Sequence, residues 1–113
     1  MSFVEKLHQQ LAADNATLLA LREGGDNSHV PRMIEHQFTC PHENNLGSLG
    51  YLLEQMQFGE ANLLPSADGF RLELSVQSAA DWSEITRTSV LMKCLAAAFQ
   101  VEYQGWGSPV VSG

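Results

Sequence analysis

The amino-acid sequence predicts an α+β fold, a ferredoxin-like β-α-β-β-α-β sandwich preceded by an additional N-terminal helix. Two segments, Met33 to Cys40 and Phe70 to Val76, alternate apolar and polar residues with period two, as strands with one buried face do. Elsewhere apolar residues recur at helical spacing, around Leu7, Leu49 and Met92. The resulting order is helix, strand, helix, strand, strand, helix, strand. Right-handed crossovers fold its last six elements into an antiparallel sheet with both helices on one face and strands one and three at the centre.

The first helix opens at Ser2, which forms a Ser-x-x-Glu capping box with Glu5. Phe3, Leu7, Leu11, Leu18 and Leu21 supply its stripe, so it is expected to run to about Arg22 and stop at Gly24-Gly25. Asp14-Asn15 interrupts that stripe and offers a second N-cap, which allows a break there. Asp26 to Pro31 reads as a loop. In the first strand Ile34, His36, Phe38 and Cys40 share one face, and Glu35, Gln37 and Thr39 the other, before Pro41 ends it. Leu46, Leu49, Leu52, Leu53 and Met56 form the stripe of the second helix, closed by Phe58-Gly59. Glu60 to Leu64 is a weak strand followed by Pro65, which cannot donate a ladder hydrogen bond and so suits a sheet edge.

After the Asp68-Gly69 turn, Phe70, Leu72, Leu74 and Val76 alternate with Arg71, Glu73 and Ser75. Asp81 and Glu84 cap the third helix, whose covered side is expected to carry Trp82, Ile85, Leu91, Met92, Leu95, Ala98 and Phe99. Val101 and Tyr103 then alternate with Glu102 and Gln104 in a short last strand that Gly105-Trp106-Gly107 is expected to break. A single domain is expected over residues 1–113, with the N-terminal helix in 1–25 and the ferredoxin-like core in 31–111.

A chain of this size exposes about 6,100 Å² of roughly 18,000 Å² when folded, so about two-thirds of its surface can be buried. With 44% hydrophobic residues, a core can form without disulfides or a structural metal. The 13 acidic and 6 basic residues give a formal net charge of −7, which repels phosphate backbones and argues against direct nucleic-acid binding. The open sheet face would present Met33, Glu35, Gln37, Thr39, Arg71, Glu73, Ser75, Glu102 and Gln104. Lacking aromatic rings and basic charge, it has neither the stacking platform nor the phosphate funnel of RNA-binding sheets. The N-terminus shows no secretion signal, and the longest apolar stretch, near Leu95 to Phe99, falls far short of the roughly 20 residues that cross a bilayer. A cytoplasmic protein without membrane contact is expected.

Cys40-Pro41-His42 and the nearby His36 raise the question of a metal or thiol centre. Zinc takes about four ligands, and no fourth comes near in sequence. Cys40 and Cys94 are therefore expected to be buried structural thiols. His36, in an apolar row, is expected as a buried imidazole bonded to backbone or to a carboxylate. No Ser-His-Asp or paired-carboxylate spacing stands out, so neither enzymatic activity nor a cofactor is expected. Gly47-Ser48-Leu49-Gly50 has the glycine spacing of an RNA-clamping loop, but it lies inside a helix without nearby Lys or Arg, so its glycines are read as allowing close helix packing. The acidic face, with Glu35, Glu73 and Glu102, suits a basic protein partner. Trp106 either folds back over the sheet edge or anchors that partner.

The segment Val101-Glu102-Tyr103-Gln104-Gly105-Trp106-Gly107 resembles the VEYDGWG signature of the RraB family, regulators of ribonuclease E activity, with Gln104 in place of Asp. Leu21-Arg22-Glu23-Gly24-Gly25-Asp26, followed by Ile34-Glu35-His36-Gln37-Phe38, is similar to the family's helix ending and first strand. The resemblance spans roughly Asp14 to Val111. It implies a non-enzymatic, ferredoxin-like module that inhibits or modulates ribonuclease E, and so RNA turnover, by touching the enzyme's regulatory region, with no cofactor. On this reading Glu35, Glu73, Glu102, Tyr103 and Trp106 meet the partner, while His36, Gly105 and Gly107 are structural. The sequence given stops six residues after Gly107, which reads as a short form without the acidic C-terminal tail of longer members. The alternative is a ferredoxin-like domain that binds a small ligand.

Overall fold

In the computed structural model, which describes residues 1–113, the periodic segments become seven elements. They are α1 (Phe3–Glu23), β1 (Arg32–Cys40), α2 (Glu43–Gln55), β2 (Glu60–Ser66), β3 (Gly69–Ser78), α3 (Trp82–Phe99) and β4 (Glu102–Gly107). The strands form one antiparallel four-stranded sheet in the order β2-β3-β1-β4. The two segments with the strongest alternation, β1 and β3, are central, because a strand flanked on both sides most needs one wholly apolar face. Their register runs from Arg32 opposite Ser78 to Cys40 opposite Phe70. β2 is an edge strand that continues through Pro65, two residues beyond the expected end at Leu64.

The core lies between the sheet and α2 and α3. Phe38, Leu72, Leu74 and Val76 from the sheet meet Leu46, Leu49 and Leu53 from α2 and Met92 and Ala96 from α3. Met56 follows the end of α2 and is half exposed, so it leaves the predicted stripe. The buried face of α3 is Ile85, Ser89, Met92 and Ala96. Trp82 and Ala98 are exposed, and so is Cys94, contrary to the buried role expected for that thiol. Cys40 is buried as expected. On α3 the corrections follow from the narrowness of its buried strip, Ile85, Ser89, Met92 and Ala96, off which Trp82, Cys94 and Ala98 all fall.

The helix α1 is continuous through Asp14-Asn15, where a break was allowed. Ser2 caps its start, its hydroxyl accepting the Glu5 N–H at 3.1 Å. Only Gln10, Asp14 and Leu21 of α1 are buried, whereas Phe3 is 40% exposed and Leu7, Leu11 and Leu18 are half-buried. The seated face is therefore rotated from the leucine stripe towards two polar residues. α1 packs on α3, and Leu21, Ile34, Ala80 and Ile85 make a second, smaller core beneath it.

A buried ion pair closes the end of the molecule where α1 hands over to β1. Arg32 Nη1 and Nη2 meet the two Asp26 carboxylate oxygens at 3.0 and 3.2 Å, a fork-to-fork pairing. The same guanidinium donates to the Val30, Asn27 and Pro109 carbonyls and to the Ser108 hydroxyl. Asp26 also accepts the Val111 N–H at 2.7 Å. Burial alone would raise the Asp26 pKa, but the Arg32 side chain and the Val111 N–H outweigh it and hold the carboxyl below its ordinary range.

Candidate functional site

With both core helices on one side, the other side of the sheet is free to meet a partner. Because side chains alternate along a strand, Glu35, Gln37 and Thr39 of β1 and Arg71, Glu73 and Ser75 of β3 share this open face. β2, expected as an edge strand but not among the residues expected on the open face, adds Glu60 and Asn62 opposite Ser75 and Glu73. Four carboxylates, Glu35, Glu60, Glu73 and Glu102, thus face a single cation, Arg71. Arg71 is already committed, with Nη2 and Nε at 2.9 and 3.1 Å from Glu73 Oε1. The carboxylates are spread out, since Glu35 and Glu102 stand about 13 Å apart along β1, four residues at the rise of a strand. They tint a surface rather than form a chelating cluster, and no group of three His, Cys, Asp or Glu side chains is placed to hold a metal ion.

β4 does not break at Gly105-Trp106-Gly107 but continues through a bulge. Phe38 pairs with Tyr103 and Gln37 with Gly105, so Gln104 is the extra residue. Gly105 at φ +102 supplies the backbone conformation that the bulge needs. Without the extra residue Trp106 would stand opposite Glu35 on the open face. With it, Trp106 stands opposite His36, on the helix side. Its indole Nε1–H donates to Asp14 Oδ1 at 2.8 Å. Asp14, fully buried, also accepts from Gln10 Nε2 at 2.9 Å and from the Ser89 hydroxyl. This is the folded-back arrangement of the tryptophan, and it secures α1, α3 and β4 on one carboxylate.

Tyr103 was expected at the partner surface but is 5% exposed, so it has almost no area to offer. Its hydroxyl meets His36 Nδ1 at 2.7 Å, which is the bond His36 makes in place of a carboxylate or backbone partner. Burial pushes the His36 imidazole down to about 4 and the Tyr103 phenol up, an effect to which the Asp14 charge adds. Neither reaches solvent to meet a substrate. Cys40 Sγ accepts the His42 N–H at 3.3 Å, with His42 itself exposed. A separate groove of about 540 Å³ lies between α1 and the start of α3, flanked by the half-exposed Leu19 and Trp82.

The model of the family RraB, regulator of ribonuclease activity B, matches residues 11–108. The chain belongs to the RraB family. No curated protein matches it. In this RraB chain the matched span reaches from within α1 to just beyond β4, and so contains both ends of the Asp14–Trp106 contact. Glu35, Glu73 and Glu102 of the face and the tryptophan segment were visible in the sequence, but the place of Glu60 on that face, Asp14 and Ser89 were missed. A signal for Asp14 existed: Gln10, Asp14 and Leu21 are spaced by four and seven residues, one helical face with polar members. No helix of this RraB chain is long and apolar enough to cross a membrane.

Proposed function

We propose that this chain is a non-enzymatic regulator that binds a basic segment of a ribonuclease, the regulatory region of ribonuclease E being the leading candidate, and so modulates RNA turnover. The observation that carries the reading is the open sheet face, where four glutamates face one already paired arginine and no aromatic ring is available for base stacking. Such a field attracts a cationic protein segment and repels RNA. Family membership supports a regulatory role. The order β2-β3-β1-β4, with β1 and β3 central, supports reading the sheet with α2 and α3 as ferredoxin-like, and the packing of α1 on α3 supports a single domain. Two free cysteines suit a reducing, cytoplasmic setting.

On this reading Glu35, Glu73 and Glu102 meet the partner directly, Trp106 contributes only the minor part of its ring left uncovered at the sheet edge, and Tyr103 with His36 supports β4 from beneath. Purified protein incubated with the ribonuclease E regulatory region is expected to form a complex that weakens as salt rises. Reversing Glu35, Glu73 and Glu102 to Lys together is expected to abolish it. Unchanged binding by the triple variant would discard the reading. Small-ligand binding is the second reading, and the groove beside Leu19 and Trp82 favours it. A metabolite that raises the melting temperature, with the rise lost on Trp82→Ala, would support it.

A further inference from the structure

The two glycines that flank Trp106 leave a gap in the acidic face. Gly105 and Gly107 lie opposite Gln37 and Glu35, so any side chains they had would stand on the open face. Nothing lies within 4 Å of the Cβ position at either glycine. The result is a depression of about 220 Å³ with Glu35, Gln37 and Gln104 around it.

The charge of this depression is one-sided, Glu35 being its only ionised side chain. Gln37 Nε2 donates to Glu35 Oε1 at 3.2 Å, and Gln104 Nε2 donates to Thr39 Oγ1 at 2.8 Å. Both amide nitrogens are thus engaged within the face, and neither amide oxygen has a partner among the protein's hydrogen bonds. Turning the Gln37 amide over would set its oxygen against the Glu35 carboxylate, so this orientation is the favoured one. A carboxylate and two amide oxygens remain to accept, and the donors beside them, the second N–H of each amide and the Thr39 hydroxyl, carry no charge. A planar group with several N–H donors and a positive charge complements such a lining, and the guanidinium of arginine carries five in a rigid fork. Lysine offers a point charge that cannot reach carboxylate and amide oxygens in one plane.

We infer that this notch between Glu35 and the Gly105/Gly107 pair receives one arginine side chain of the basic partner segment. The inference deepens the proposed function and rests on it. Specificity then has a place on the face, whereas the remaining glutamates supply attraction without choosing among cations.

The test uses fluorescence anisotropy at low salt, with a labelled oligo-arginine peptide and an oligo-lysine peptide of equal length. Gly107→Val fills the notch without changing net charge, and Gly107 is free of the positive φ that would make the substitution strained. It is expected to weaken oligo-arginine binding by about tenfold or more, as the loss of a charge-assisted hydrogen bond would, and oligo-lysine binding less, at an unchanged melting temperature. Glu35→Gln is expected to weaken the arginine peptide well beyond Glu102→Gln, which removes the same charge elsewhere on the face. If the wild type binds both peptides but neither Gly107→Val nor Glu35→Gln alters the preference for arginine, the notch is overturned while the acidic face stands. If the wild type binds neither peptide, the face and the notch both fall.

Discussion

His36 has an ordinary pKa of 6.5 that burial lowers to about 4 in the folded chain, because the low-dielectric interior penalises the imidazolium. The unfolded chain therefore binds the proton more tightly than the native one. The stability this represents is present above pH 6.5 and is lost progressively as the pH falls towards 4. The loss amounts to roughly 3 kcal/mol at most. Urea unfolding midpoints measured across that window should fall for the wild type, and His36→Leu should flatten the decline. Asp26 acts in a lower window: its carboxyl is held below the ordinary 3.8, so its contribution is lost only as the pH falls beneath that value. A decline that begins only below pH 4 would remove His36 from the account.

At the scale of the element, two glycines of one helix play opposite parts. A Cβ on Gly50 would stand 3.1 Å from Leu72 Cδ1, so the missing side chain is what lets α2 lie against β3. A Cβ on Gly47 would meet only Leu63 Cδ2, at 4.0 Å. The close-packing role read from both glycines thus belongs to Gly50 alone. Gly47→Ala should stabilise the protein by about 0.5–1 kcal/mol, the difference in helix propensity. Gly50→Ala should cost about 1–3 kcal/mol through overpacking, offset in part by the same propensity gain. Thermal unfolding of the two variants checks the signs, and a stabilised Gly50→Ala would mean that the α2–β3 contact is looser than these distances imply.

For the molecule as a whole, the position of α1 depends on Asp14. A buried carboxylate that receives N–H and O–H donors from Gln10, Ser89 and Trp106 joins a helix, a second helix and a strand that are far apart in sequence. Removing it strands those donors in a dry site, which costs about 1–3 kcal/mol for each group left unpaired. Asp14→Ala should therefore lower the unfolding free energy by about 3–5 kcal/mol, the range for breaking a buried charged contact. It should also quench the order of Trp106, read by near-ultraviolet circular dichroism. Asp14→Asn keeps the shape and should cost less. If Asp14→Ala unfolds at the wild-type urea concentration, α1 is held by its apolar contacts alone.

Much of this was legible from the residues themselves. The alternation in β1 and β3, the Ser2 and Asp81 caps, the edge position of β2, the acidic bias and the tryptophan segment that marks the family all follow from patterns within a few neighbouring positions. The side of the sheet on which Trp106 lies was not legible, because one extra residue at Gln104 reverses the face of everything after it and leaves local composition unchanged. Nor were the Asp14 contact with Trp106, 92 positions away, or the Arg32–Asp26 pair as the anchor of residues 108 to 111. Periodicity tells which face of an element leaves water. A buried polar group is stable only beside its partner, and that partner is chosen by how distant elements meet in three dimensions.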